Sequence, residues 1–297
     1  LPSPPPQVDA LRVLGVLYAQ RPDTSDKALE RLSRAAELSP NDVDVWLEVG
    51  KLQQTRDLAA ALKAYEKAAA VLKRSQRAVP VELWNNLGAI RHRLGKLESA
   101  EEAYRRALRV SAEAGTTSEF DSINVTVTYN LARLLEERDR ASEAEEKYKA
   151  LLAEHPNYID AFLRLASIER GRGKPKAAIG WLKKALDVSP ADPDLWCLLG
   201  TIQVEIGDVV AADSSFRRVL TKAVERGDAH ENCKKDAYAT ISLANIQVAN
   251  ADHKNQERLD KATEIFRTVL EKEPANLYAA NGIGVVCVDK GRLDEAR

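Results

Sequence analysis

VPVELWNNLGAIRHRLGKLESAEEAYRRA, residues 79–107, decides how this chain is read. Trp84, Leu87 and Gly88 come first, then Gly95, then Ala100, Tyr104 and Ala107. The apolar residues return every three or four places, the period of an amphipathic helix. Gly95 interrupts the period and supplies the backbone freedom of a tight helix–helix turn. Small residues at 88 and 100 let the two helices cross closely, while Trp84, Leu87 and Tyr104 fill the seam. One such pair cannot bury its apolar face alone, so further copies must stack on it.

The copies are present on both sides. With Trp84 as position 4 of a unit, Thr128, Phe162 and Trp196 are the next anchors, and the last three stand 34 residues apart. Thr128 is followed by Leu131, Ala132, Ala144, Tyr148, Leu151 and Pro156. Phe162 is followed by Leu165, Ala166, Gly173, Ala178, Leu182, Ala185 and Pro190, and Trp196 by Leu199, Gly200, Gly207, Ala212, Phe216 and Val219. Looser copies begin at Leu11 and Trp46, around Leu243, and at Ala280. Proline near position 32, as at Pro40, Pro156, Pro190 and Pro274, stops a second helix, having no amide donor and restricting the residue before it. The order and period resemble the tetratricopeptide (TPR) repeat. The expected fold is all-α: a right-handed superhelical solenoid of about eight helix pairs, the last truncated. The expected units are 8–41, 43–80, 81–123, 125–157, 159–191, 193–236, 237–275 and 277–297, forming one array. The register breaks at 111–124, 225–237 and 249–260, which read as insertions, either partner-contacting or tolerated surface loops.

Net charge of −1 and a pI near 6.5 leave no chain-level footprint for nucleic acid or an anionic membrane. Three cysteines, odd in number and far apart, suit a reducing compartment better than a disulfide scaffold. The opening residues lack the pattern of a signal peptide, and the absence of methionine suggests a piece of a longer protein.

Chemistry-bearing motifs are missing. His92, His155, His230 and His253 show no HExxH spacing, and His230 with Cys233 makes at most half a metal site. Gly282-Ile283-Gly284 begins a dinucleotide fingerprint, but Cys287 stands where the third glycine should be. The acidic pairs Glu136-Glu137 and Glu145-Glu146 read as solvated helix faces. No catalytic residue, cofactor or metal is expected.

In TPR arrays the first helices line a concave groove through positions 2, 5, 6, 9, 12 and 13. Those positions gather Asn86, Tyr129, Asn130, Arg133, Arg164 and Arg170, and the face turns apolar from the sixth unit onward. Asparagine can pair with a peptide backbone there, and arginine with its carboxylates. TPR proteins that grip chaperone tails use a carboxylate clamp. At the clamp positions this chain has Asn85, Ala89, Asn130, Asp160 and Arg164, so both lysines of that clamp are missing.

VTVTYNLARLLEE (125–137), LLAEHPNYIDAFLRLASI (151–168) and NLYAANGIGVV (276–286) are similar to the large TPR scaffold subunit of the Paf complex, which travels with RNA polymerase II. The string NLYAANGIG is the most specific, because repeat geometry does not demand it. The resemblance implies a central slice of a nuclear scaffold that supports co-transcriptional histone modification. Its implied partners are the other Paf-complex subunits, held as extended segments, and the elongating RNA polymerase II. It implies no sequence-specific nucleic-acid contact and no membrane. Residues alone leave open another TPR adaptor, such as a cytoplasmic scaffold or a substrate-recognition array.

Far-ultraviolet circular dichroism should show a helical spectrum without a β component. A substantial β contribution would contradict the repeat assignment.

Overall fold

The computed structural model describes residues 6–115, 118–226, 233–251 and 256–292. Among these residues there are fifteen α-helices and no strand. The chain falls into two compact units, Leu1–Glu154 and His155–Arg297. The first holds α1 (Pro6–Ala19), α2 (Ser25–Leu38), α3 (Val43–Gln53), α4 (Leu58–Arg74), α5 (Val81–Arg93), α6 (Leu97–Ala114), α7 (Ser118–Glu137) and α8 (Ala141–Glu154). The second holds α9 (Ile159–Gly171), α10 (Pro175–Val188), α11 (Pro193–Glu205), α12 (Val209–Arg226), α13 (Cys233–Ala249), α14 (Gln256–Lys272) and α15 (Leu277–Asp289). Within each unit a helix packs on its neighbours in the chain, and first helices also meet the next first helix, as α5 meets α7 and α11 meets α13. The second helix of the eighth expected pair, with Ala296, lies outside the described residues.

The two helices of a pair approach as closely as their side chains permit. A Cβ on Gly50 would lie 2.6 Å from Cε1 of Tyr65, one on Gly88 2.6 Å from Cε1 of Tyr104, and one on Gly200 2.7 Å from Cζ of Phe216. Real Cβ atoms do not come so near, so glycine is a steric requirement at these three positions, whereas the pair that holds Tyr148 takes Ala132 at position 8. All three rings are fully buried. In the first pair Gly15 meets Leu32 in the same way, at 2.6 Å from its Cγ. Gly282, which suggested half a dinucleotide motif, is instead pressed against the Phe266 ring of α14.

Entry into the first helices is built from short local signals. Asp42 caps α3 by accepting from the Asp44 and Val45 amides, and Asp192 caps α11 through Asp194 and Leu195. Two residues before each cap, a proline carbonyl accepts from the position-4 indole: Trp46 Nε1 to Pro40 at 2.8 Å, Trp196 Nε1 to Pro190 at 2.9 Å. The indole faces are covered by cations from the second helix: Lys67 lies 4.1 Å from the Trp46 centroid, Arg106 5.1 Å from Trp84, and Arg218 4.7 Å from Trp196. In the turn between first and second helix, Gly95 and Gly207 take the left-handed backbone, and Asp139 adopts it at the matching place with φ of 57°.

Two of the expected insertions are largely helix. α6 runs through Ala114 and α7 begins at Ser118, so the extra residues of 111–124 lengthen helices instead of forming a free loop. The reason is local: Ser-Ala-Glu-Ala continues the helical period of α6, and Ser111 is buried. Likewise α12 reaches Arg226 and α13 starts at Cys233. Residues 116–117 of the first insertion, 227–232 of the second and 252–255 of the third lie outside the described residues.

Gly88→Val should lower stability by about 1–3 kcal/mol, because two methyls must enter a closed contact with Tyr104. Glu98→Ala removes an exposed side chain and should stay within about 0.5 kcal/mol. Urea denaturation followed by circular dichroism compares them; equal midpoints would count against the assigned register.

Candidate partner-binding face

The first helices supply the face on which binding was expected, and their polar side chains are largely occupied by one another. In the first unit, Asn86 of α5 and Tyr129 and Asn130 of α7 are half-buried, while Arg133 is exposed. Asn130 Nδ2 donates to Asn85 Oδ1 at 3.1 Å, joining α7 to α5. His92 Nε2 lies 2.8 Å from Glu137 Oε2, a second bond between the same helices, and Arg133 stands 4.0 Å from Glu137 Oε1. Arg12 of α1 donates to Asp44 of α3 at 3.0 Å, and Arg93 of α5 to the Gln54 carbonyl after α3 at 3.2 Å.

In the second unit Arg164 is half-buried on α9 and Arg170 is exposed. Arg170 forms a two-point pair with Glu205 of α11, Nε donating at 3.0 Å and Nη2 to the other carboxylate oxygen. Thr201 of α11 and Tyr238 of α13 share a hydrogen bond of 2.8 Å. The second unit also exposes Val204, Tyr238, Tyr278, Val285 and Val288, in keeping with the apolar turn expected from the sixth repeat onward.

A rule joins these pairs. His92 and Arg170 occupy position 12 of their repeats, and their partners Glu137 and Glu205 occupy position 13 of the next. Positions 12 and 13 were both expected on the face, but their pairing from one repeat to the next was not. The signal was available: a basic residue at 12 followed by an acid at 13 one repeat later. Of Glu136 and Glu137, expected to be a solvated face, Glu137 is exposed and Glu136 is not. Glu137 takes the His92 contact, and Glu136 is half-buried and accepts from Tyr148 Oη at 2.6 Å. Gln54 Nε2 donates to Tyr65 Oη at 2.6 Å in the corresponding place. Burial pushes the Tyr65 phenol up to about 12, opposed by the Gln54 hydrogen bond, so it stays a neutral donor and acceptor.

A second network was missed outright. Glu101 on α6 is buried and receives Arg140 Nη1 at 2.9 Å and 3.0 Å, Arg105 at 2.7 Å, and Arg138. Burial alone pushes its carboxyl up, but Arg140 and Arg105 together hold it below the usual carboxylate range. Arg138 and Arg140 flank the turn between α7 and α8, so this one carboxylate ties that turn to α6. The spacing Glu101–Arg105 is an ordinary i,i+4 pair; nothing local says that two more arginines arrive from about 40 residues away.

Among the described residues no three metal-ligating side chains come together, and no helix is long and apolar enough to cross a membrane. His230 and the side chain of Cys233 lie outside what the structure describes.

A tetratricopeptide-repeat family model matches residues 129–195 and 252–297, and a second one residues 81–111. The chain is 32% identical to the protein named Protein CTR9 homolog from Arabidopsis thaliana, over 99% of this chain and 29% of that protein. RNA polymerase-associated protein CTR9 of Caenorhabditis elegans is 29% identical over 99% of this chain and 27% of its own length. The protein of the same name from Saccharomyces cerevisiae is 24% identical over 96% of this chain and 28% of its own length. The chain therefore spans less than a third of each of these relatives. Among solved structures, the C-terminal part of a TPR repeat-containing protein from Cytophaga hutchinsonii aligns with a TM-score of 0.68, covering 93% of this chain and 99% of that one at 12% identity. That likeness concerns the fold alone.

Glu101→Gln should destabilise the first unit by about 1–3 kcal/mol at pH 7, by weakening charge-assisted bonds to a buried acceptor. The folded carboxyl titrates below its unfolded value of about 4.3, so its contribution is full above that pH and is lost as pH falls through the folded value. Urea midpoints of parent and variant should therefore differ at pH 7 and converge toward pH 3. A difference independent of pH would contradict the charge assignment.

Proposed function

We propose, starting from a tetratricopeptide-repeat array that matches CTR9 proteins along its whole length, that this chain is a binding scaffold of the RNA polymerase II elongation machinery. The observation that carries the reading is the match of 96–99% of this chain to part of two relatives named for their association with RNA polymerase. In this reading the protein is nuclear. It holds the other Paf-complex subunits and connects them to the polymerase, and through them it supports histone modification during transcription. Its work is binding, and no residue is given a catalytic role.

The proposed binding face is that of the first helices, with Asn86, Tyr129, Asn130, Arg133, Arg164 and Arg170 as contact residues. The inter-repeat pairs refine this set. Arg170 is engaged by Glu205 and Asn130 by Asn85, so both hold the face in shape before any partner arrives. Arg133 is 48% exposed in its side chain and only 4.0 Å from its nearest acid, which leaves it the better electrostatic anchor. An extended ligand suits such a surface, because it gains area over several repeats without one deep pocket and loses its chain entropy on binding.

Arg133→Glu combined with Arg164→Glu should reduce recovery of Paf-complex subunits from nuclear extract several-fold, through charge reversal at the contact surface. Helicity should be retained. Full recovery by a folded double variant would move the interface off these helices, whereas failure of the unaltered chain to recover any polymerase-associated protein would overturn the scaffold reading itself.

A further inference from the structure

Several second helices of this protein pair a basic residue with an acid one turn away on the same helix. Arg106 pairs with Glu102 at 2.5 Å, Lys149 with Glu145 at 2.5 Å, Arg217 with Asp213 at 2.6 Å and Lys261 with Glu257 at 2.7 Å. α10 does not. It reads PKAAIGWLKKALDV, with Lys176, Lys183 and Lys184 against the single acid Asp187, and Lys174 stands just before it. All four lysines are exposed. Among the described residues, none of them lies in an ion pair. Lys184 is occupied otherwise, 4.2 Å from the centroid of the Trp181 ring.

Gly180 sits in the middle of this helix. The glycines at position 8 have a steric reason, but a Cβ on Gly180 would meet nothing within 4 Å. An interior helical glycine costs about 1 kcal/mol relative to alanine, and here the fold gains nothing in return. Lys176, Gly180 and Lys183 fall at i, i+4 and i+7, which places them in one stripe, with Ala177 and Lys184 beside it. The half-buried Trp181, tilted against Phe162 with centroids 6.2 Å apart, borders the stripe. The outer face of α10 is thus smooth at its centre, cationic at both ends and edged by an aromatic.

We propose that the outer face of α10 is a docking site for an acidic segment of another polypeptide, whose backbone passes over Gly180 and whose carboxylates meet Lys176 and Lys183. Charge complementarity selects the ligand: three lysines against one acid on a chain whose overall charge is −1. The glycine selects the geometry, because only close backbone approach makes use of its missing side chain. Nucleic acid fits less well. The basic surface is one helix wide, and the adjoining indole is already covered by Lys184 and packed on Phe162, so it offers no free stacking platform. The proposal rests on the scaffold reading only in that its ligand is a polypeptide, and it uses a face made by a second helix instead of the first helices.

The test is fluorescence anisotropy of the whole chain with a labelled 14-residue peptide containing six glutamates, beside its glutamine counterpart and a 14-nucleotide single-stranded RNA. The glutamate peptide should bind, more weakly as salt rises. Lys176→Glu with Lys183→Glu should weaken it about fivefold or more. Gly180→Leu should also weaken it without changing charge, and leucine in an exposed helix interior does not threaten the fold. Lys261→Glu with Arg267→Glu on α14 is the control and should leave binding unchanged. Absence of binding, equal loss with the α14 control, full binding by Gly180→Leu, or tighter binding of RNA than of the peptide would each overturn the proposal. Arg133 and Arg164 are untouched throughout, so failure here leaves the first-helix face standing, and failure there leaves α10 standing.

Discussion

The close approach of a small position-8 residue to the large side chain near position 24 of the same helix pair is the constraint on which the remainder of the structure depends. With no Cβ at Gly50, Gly88 or Gly200, the rings of Tyr65, Tyr104 and Phe216 press against the backbone of the first helix. That contact sets the separation within a pair, and the separation sets where every other residue of the pair points. The tryptophan indoles can then reach the proline carbonyls of the preceding turn, and second-helix cations can cover them. The tyrosine hydroxyls emerge beside the first-helix face, where Gln54 and Glu136 meet them. Core and binding face are therefore two ends of the same side chains.

Between repeats the structure uses polar connections. His92 with Glu137, Asn85 with Asn130, and Arg170 with Glu205 join successive first helices across the proposed binding face. Exposed pairs of this kind contribute little stability each, about 0–1 kcal/mol. Their larger effect is on shape, because they hold neighbouring repeats in one register and leave fewer side chains to be ordered when a ligand binds. The Glu101 cluster is a stronger device on another face. It fastens the α7–α8 turn to α6 with a carboxylate buried among three arginines.

Most of the fold was legible because the repeat writes the same physical demands many times. Gly88 and Tyr104 are ambiguous alone, but Gly50 with Tyr65 and Gly200 with Phe216 repeat the relation. Helix ends were legible where a proline and an aspartate stand together, as at Pro40 and Asp42. What the register could not show was how the spare residues fold. The stretch after Val110 departs from the 34-residue period, and period alone does not separate a loop from a longer helix. The face was legible residue by residue and illegible in pairs, since Asn130 and Arg170 look like free ligands until the next repeat is set beside them. Glu101 was hidden for a related reason: two of its partners, Arg138 and Arg140, come from the turn at the far end of the next helix.

In the proposed reading the chain is a preorganised surface for other polypeptides, and the most direct test is to ask what touches that surface. A photo-crosslinking amino acid placed at Asn86 or Arg133 on the first helices, and separately at Glu102 on a second helix of the same unit, would be activated in nuclear extract. Adducts would then be identified by mass spectrometry. The account predicts crosslinks from positions 86 and 133 to subunits that travel with RNA polymerase II, and few from position 102. Adducts from none of these positions, or adducts confined to proteins unconnected with the polymerase, would contradict it.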